Sequence, residues 1–86
     1  MSWRIYATAG LDATGPGAAE THATLYLTPE GRVCLRAKAG EELLLDAFSA
    51  SVNDALLEAA LRPELPQPLY DALMDAVARR LEREQP

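Results

Sequence analysis

The chain has 86 residues, of which 49% are hydrophobic, and its formal net charge is −5. This length corresponds to a single domain, residues 1–86, with a modest core, and the hydrophobic content excludes a disordered chain. Residues 1–40 contain four basic and three acidic side chains, whereas residues 41–86 contain four basic and ten acidic ones, so the domain as a whole lacks the strongly basic surface of a typical nucleic-acid-binding protein.

The first predicted element is a strand over residues 2–9, SWRIYATA, which alternates in character and is rich in β-forming residues. The following residues, 10–20, contain three glycines and a proline, with few side chains to bury. They predict a flexible loop that is long for a tight hairpin. If the side chains of this strand alternate regularly between the two faces of the sheet, one face carries Trp3, Ile5 and Ala7. The other face then carries Arg4, Tyr6 and Thr8.

Residues 22–38 predict a β-hairpin with a well-defined register. Its turn, TPEGR at 28–32, places a proline at the first turn position and a glycine where the chain must take a left-handed conformation. A shift of one residue would move the apolar side chains to the opposite face, so the register is strongly specified. The predicted cross-strand pairs are Leu27 with Val33, Tyr26 with Cys34, Leu25 with Leu35, Thr24 with Arg36, Ala23 with Ala37 and His22 with Lys38.

Residues 40–62 admit two interpretations. As one helix, they collect their large apolar side chains on one arc, and Glu41 and Glu42 lie at the positive end of the helix dipole. In the alternative, residues 42–47 form a fourth strand and Ser51 caps a shorter helix. Few of these residues are β-branched, so we favour a single helix over about 41–62.

The last predicted element is a helix over residues 68–84, reached through a stiff connector with three prolines at 63–68. Its apolar stripe has the 4-3-4 spacing of a coiled-coil seam. Core packing is the simpler explanation of this stripe, and a helix-mediated dimer is the alternative. The candidate dimer residues are Tyr70, Met74, Val77 and Leu81.

Strands followed by helices predict an α+β fold. We expect an antiparallel sheet of three strands, or of four in the alternative interpretation of residues 42–47. Two C-terminal helices then pack on one face of this sheet.

The single histidine and the single cysteine are the first residues to consider for catalysis. In the predicted register, His22 and Cys34 lie four residue pairs apart, or about 13–14 Å, which excludes a hydrogen-bonded dyad within the hairpin. One cysteine and one histidine also fall short of the four clustered ligands of a structural zinc site. We therefore predict no catalytic residue, no bound metal and no cofactor.

The polar face of the sheet is the candidate binding surface. Aromatic rings among arginine and lysine on an open sheet are the groups that stack on bases and pair with phosphates. A plain solvated face is the simplest interpretation, followed by a surface for self-association or another protein, and then by one for nucleic acid or another anionic ligand. The candidate residues are Arg4, Tyr6, His22, Tyr26, Arg36 and Lys38.

These observations predict a small, non-enzymatic interaction or regulatory module that forms a homodimer or binds another protein. Single-stranded nucleic-acid or anionic-ligand binding is the alternative, and a small enzyme using His22 is the second alternative. The first ten residues lack the apolar segment of a secretion signal, and no apolar run approaches the roughly 18 residues of a membrane span. With a free thiol as well, we expect a cytoplasmic protein, and the preference for arginine over lysine is typical of a GC-rich bacterial genome.

Overall fold

The computed structural model describes residues 2–11 and 20–84. The elements are β1 (Arg4–Leu11), β2 (Thr21–Leu27), β3 (Val33–Ala39), β4 (Glu42–Ser49), α1 (Val52–Leu61) and α2 (Gln67–Glu84). The strands form one antiparallel sheet in the order β1-β2-β3-β4, and the α+β class with the helices after the strands is confirmed. Most of the predicted loop 10–20 falls on residues 12–19, outside the described residues, whereas Gly10 and Leu11 belong to β1.

The β2–β3 hairpin has the predicted register throughout. Its turn is closed by the Gly31 amide, which donates to the Thr28 carbonyl over 3.1 Å, and by the Thr28 amide, which donates to the Arg32 carbonyl over 2.9 Å. Gly31 has a φ of 83°, in the left-handed region that favours glycine. Local turn chemistry thus sets which hairpin side chains face the helices.

The predicted single helix over 41–62 is wrong, and the alternative is correct. Gly40, with a φ of 61°, reverses the chain into β4, which pairs with β3 along its length. Helix α1 begins only after Ser51, whose hydroxyl accepts the amide of Asp54 over 3.1 Å. Intrinsic helix preferences differ by at most about 0.7 kcal/mol per ordinary residue, so pairing with β3 and burial of Leu45 outweigh them.

A β-bulge interrupts β1 at Tyr6, between Ile5 and Ala7. Beyond Ala7 the strand alternates as predicted, but the extra residue reverses the alternation towards the N-terminus. Arg4 lies opposite Leu27, and therefore on the helix side of the sheet. The predicted regular alternation of residues 2–9 is thus wrong for the segment before the bulge.

Both helices pack on the same face of the sheet, α2 against β1 and β2, and α1 against β3 and β4. Leu25 and Leu35 from the sheet and Leu69 and Leu73 from α2 meet in the centre and have almost no exposed surface. Neither of the two described helices is long and apolar enough to cross a membrane. The core consists of Ala7, Ala23, Leu25, Val33, Leu35, Ala37, Leu45, Ala55, Ala59, Leu65, Leu69, Leu73 and Val77.

The predicted helix over 68–84 is confirmed as α2, but its candidate dimer stripe is divided between core and surface. Val77 is buried in the core, and Tyr70 is half buried against it. Met74 and Leu81 are exposed. The stripe is therefore not one continuous exposed seam, because a 3-4 spacing also describes the face that a helix turns to its own sheet.

Candidate binding surface on the uncovered sheet face

One face of the sheet carries no second layer in the part of the chain that the structure describes. We call it the outer face. Residues that pair directly across antiparallel strands share a face, so its members follow from the strand register. The outer face comprises Ile5 and Thr8 of β1, His22, Thr24 and Tyr26 of β2, Cys34, Arg36 and Lys38 of β3, and Leu43, Asp46 and Phe48 of β4, with Trp3 packed beside them.

Three aromatic rings form a cluster at one end of the outer face, which we call the aromatic end. The Trp3 ring centroid lies 5.7 Å from that of Tyr26 and 5.6 Å from that of Phe48, the second pair meeting edge to face. These separations lie in the range where aromatic pairs attract one another beyond simple area burial. The cluster therefore has a defined arrangement, although Trp3 and Phe48 keep 38% and 47% of their surface exposed.

Two guanidinium groups lie over these rings. The Arg36 guanidinium carbon is 5.5 Å from the Trp3 ring centroid and 5.8 Å from that of Tyr26. The Arg32 guanidinium carbon is 5.3 Å from the Phe48 ring centroid. Such cation–π contacts contribute about 0.5–1 kcal/mol each at exposed sites. They hold the two guanidinium groups against the aromatic end.

Cys34 is buried beneath this cluster although it belongs to the outer face. Its thiol Sγ donates to Asp46 Oδ1 over 3.2 Å. The pKa of Cys34 is raised from 9.0 to about 11, mainly by burial and further by the hydrogen bond to the Asp46 carboxylate and its negative charge, with the Arg36 charge opposing these effects. At neutral pH the group is therefore a protonated thiol and a poor nucleophile.

The other end of the outer face is basic, and we call it the basic end. His22 lies directly opposite Lys38 across the β2–β3 pair, and both line a shallow depression. The His22 imidazole lies close over Gly10, where a Cβ atom would come within 2.8 Å of Nδ1. The nearest carboxylate is that of Glu20, whose Oε2 is 3.4 Å from His22 Nε2.

The structure brings together four of the six predicted binding residues. His22, Tyr26, Arg36 and Lys38 share the outer face. Because of the bulge, the other two predicted residues, Arg4 and Tyr6, do not belong to the outer face. The predicted regular alternation, which grouped them with it, is wrong. Tyr6 faces α2, where the Arg80 guanidinium carbon lies 4.8 Å from its ring centroid and the Arg80 Nη1 donates to its backbone carbonyl over 3.2 Å.

Sequence reasoning missed Trp3, Arg32, Asp46 and Phe48 as parts of this surface. The favoured interpretation of residues 40–62 places Phe48 and Asp46 in a helix, and regular alternation of residues 2–9 places Trp3 on the opposite side of the sheet. A signal for Phe48 exists in the alternative interpretation, because a fourth strand following Gly40 places alternate residues on the outer face. No comparable signal exists for Trp3, because its position depends on the bulge.

The comparisons with known proteins returned nothing: no protein-family model, no curated protein and no solved structure matches the chain.

The chemistry of the outer face follows from its two ends. His22 and Cys34 are four residue pairs apart, as the register predicts, and the His22 side chain is 54% exposed with one carboxylate beside it. Within residues 2–11 and 20–84, no three Asp, Glu, His or Cys side chains converge as metal ligands. What the surface offers is stacking on aromatic rings at one end and ion pairing with basic groups at the other.

Proposed function

We propose that the protein is a small, non-enzymatic, cytoplasmic interaction module that forms a homodimer through the aromatic end of its outer face. One observation carries the proposal: Trp3, Ile5 and Phe48 are exposed together on a sheet face that no other layer covers. Apolar side chains gathered on one face of a small soluble domain favour a contact with another protein surface. The reduced thiol of Cys34 is in keeping with the cytoplasm.

The residue types of the aromatic end support a protein contact. Trp, Tyr and Arg are the side chains that most often dominate the binding energy of interfaces. Here Trp3, Tyr26 and Arg36 are already held against one another, so little side-chain freedom is lost when a partner packs on them. The pre-arranged cluster therefore resembles the centre of an interface rather than an isolated exposed ring.

The charge distribution favours a second copy as the occupant. In a two-fold dimer whose axis runs across the strands at the aromatic end, the two aromatic clusters face each other. The two basic ends, each with His22 and Lys38, then lie far apart on opposite sides of the axis, so like charges do not meet. A dimer also supplies the second layer that the open sheet lacks, which is a common source of stability for a domain of this size.

Sedimentation velocity tests the homodimer with a matched pair of variants. Phe48→Glu places a charge at the aromatic end, whereas Leu61→Glu makes the same change at an 81% exposed leucine on α1. We expect the wild type and Leu61→Glu to sediment as dimers at micromolar concentration and Phe48→Glu as a folded monomer, with circular dichroism reporting the fold. A monomeric wild type refutes the proposal, and so does loss of the dimer in Leu61→Glu but not in Phe48→Glu.

Single-stranded nucleic-acid binding is the second candidate function. The observation that favours it is that Tyr26 of the aromatic end lines the same depression as Arg36 and Lys38, since rings stack on bases and cations pair with phosphates. Fluorescence anisotropy with labelled single strands tests it. We expect affinity that falls steeply with salt and weakens in Lys38→Gln, and an absence of binding at low salt rejects this candidate.

A further inference from the structure

The depression at the basic end brings three basic side chains together. It is lined by His22, Thr24, Tyr26, Arg36, Lys38 and Gly40. Lys38 forms no ion pair with a residue of the described chain, whereas Arg36 and His22 each have one carboxylate at long range, 3.5 Å from Asp46 and 3.4 Å from Glu20. Strong charge-assisted hydrogen bonds are about 2.7–2.9 Å long, so these two contacts are ion pairs without a strong hydrogen bond, and Arg36 and His22 can each donate one to a bound anion.

Two residues that can carry positive charge face each other across the sheet at this point. His22 lies directly opposite Lys38, and Arg36 is two residues from Lys38 on the same strand and the same face. Basic side chains directly opposite each other in a sheet destabilise it when both are charged. An anion between them would remove that repulsion and stabilise the pair.

Gly10 indicates that the position of the imidazole is itself part of the arrangement. Gly10 lies within β1, directly opposite His22, where glycine weakens a strand and offers no side chain to pack. A Cβ atom at this position would approach His22 Nδ1 to 2.8 Å, closer than real contacts, so any larger residue would make the half-exposed ring turn away from its present position. The ring's position therefore depends on a residue that the strand would otherwise disfavour.

We propose that this depression binds a phosphate group, either of a free nucleotide or of a single-stranded nucleic acid. The Lys38 ammonium and the His22 imidazole are the principal donors, and Arg36 contributes charge from the side of the aromatic end. The bound phosphate displaces the Glu20 carboxylate from His22, where both side chains are more than half exposed and the contact is long. Tyr26, which borders the depression, provides a ring beside which the base of a nucleotide packs.

The phosphate site borders the proposed dimer interface, with which it shares Tyr26 and Arg36, whereas its principal donors, Lys38 and His22, lie outside that interface at the basic end. Its test is a titration of the ¹⁵N-labelled protein, followed by amide chemical shifts, with inorganic phosphate, with adenosine monophosphate and with a short oligothymidylate in parallel. We expect saturable shifts at the amides of His22, Thr24 and Lys38. Tighter binding of the mononucleotide than of inorganic phosphate indicates a base contact, and tighter binding of the oligonucleotide indicates a nucleic-acid strand as the source of the phosphate.

Three variants separate a defined site from general attraction of anions. Lys38→Gln should weaken binding about tenfold, which corresponds to the loss of one charge-assisted hydrogen bond. Gly10→Ala, which keeps every charge but displaces the His22 ring, should also weaken it, whereas Arg79→Gln on the exposed side of α2 should leave it unchanged. The proposal fails if no ligand gives saturable shifts at low ionic strength, or if Arg79→Gln weakens binding as much as Lys38→Gln.

Discussion

At the scale of single residues, Cys34 shows how the uncovered side of the sheet is organised. It has no exposed surface although it lies on the outer face, where Tyr26 and Phe48 are its direct neighbours on the two adjacent strands. Its thiol is paired with the Asp46 carboxylate, and Asp46 in turn lies 3.5 Å from Arg36. The outer face thus contains a small buried centre of its own, with a polar network at its base.

The raised pKa of Cys34 predicts a pH dependence of stability. Between pH 9 and 11 the unfolded chain loses the thiol proton while the folded chain keeps it, so this contribution to stability is complete below pH 9 and is lost as the pH rises through about 11. The free energy of unfolding should fall between pH 8 and pH 10 by about 1 kcal/mol more in the wild type than in Cys34→Ser. Urea unfolding of both proteins measures this difference, and equal losses would contradict the raised pKa.

At the scale of elements, the β2–β3 hairpin and β4 mark the limit of what local sequence determines. The hairpin register could be predicted because its turn needs a residue such as Gly31 at the position with a left-handed conformation. Once the turn is located, the pairing of the residues of β2 and β3 is determined. The strand β4 could not be distinguished from a helix, because its leucines are compatible with both structures. Pairing with β3, which the local sequence does not encode, determines that this segment is a strand. The bulge at Tyr6 could not be predicted at all, since no residue type marks it. The positions of Arg4 and Trp3 depend on this bulge, so they could not be predicted either.

The start of α1 offers a direct test of the corrected boundary. Ser51→Ala removes the hydroxyl that accepts the Asp54 amide and should lower the free energy of unfolding by about 1 kcal/mol. Ser51→Asp keeps an acceptor at the same place and should retain most of the stability. Chemical denaturation of the three proteins decides the matter, and an unchanged Ser51→Ala would show that the helix does not begin there.

At the scale of the whole molecule, the two faces of the sheet differ in what covers them. The inner face is closed by α1 and α2, and the outer face keeps its aromatic and basic ends in contact with solvent. The sequence predicted which face of the hairpin meets the helices, because Leu25 and Leu35 alternate with polar residues. It left open how the outer face divides into two ends, because that division depends on residues from all four strands.

The packing of α2 predicts effects of very different size on the free energy of unfolding for two neighbouring residues. Leu73→Ala removes a side chain with no exposed surface and should lower the free energy of unfolding by about 2–5 kcal/mol. Met74→Ala, one position along and 38% exposed, should change it by less than about 1 kcal/mol. Thermal or urea unfolding compares the two, and a larger effect at Met74 would mean that α2 turns a different face to the sheet.

The packing of the last helix against the first strand has a consequence for how the chain folds. Every strand pairs with its neighbour in sequence, so the sheet can grow one hairpin at a time through short loop closures. The contact between Arg80 and Tyr6 instead joins residues 74 positions apart. Because β1 and β2 are covered mainly by α2, the apolar side of these two strands gains its cover only when the last helix of the chain packs on it. The first hairpin of the sheet therefore depends for its burial on the C-terminal end of the chain.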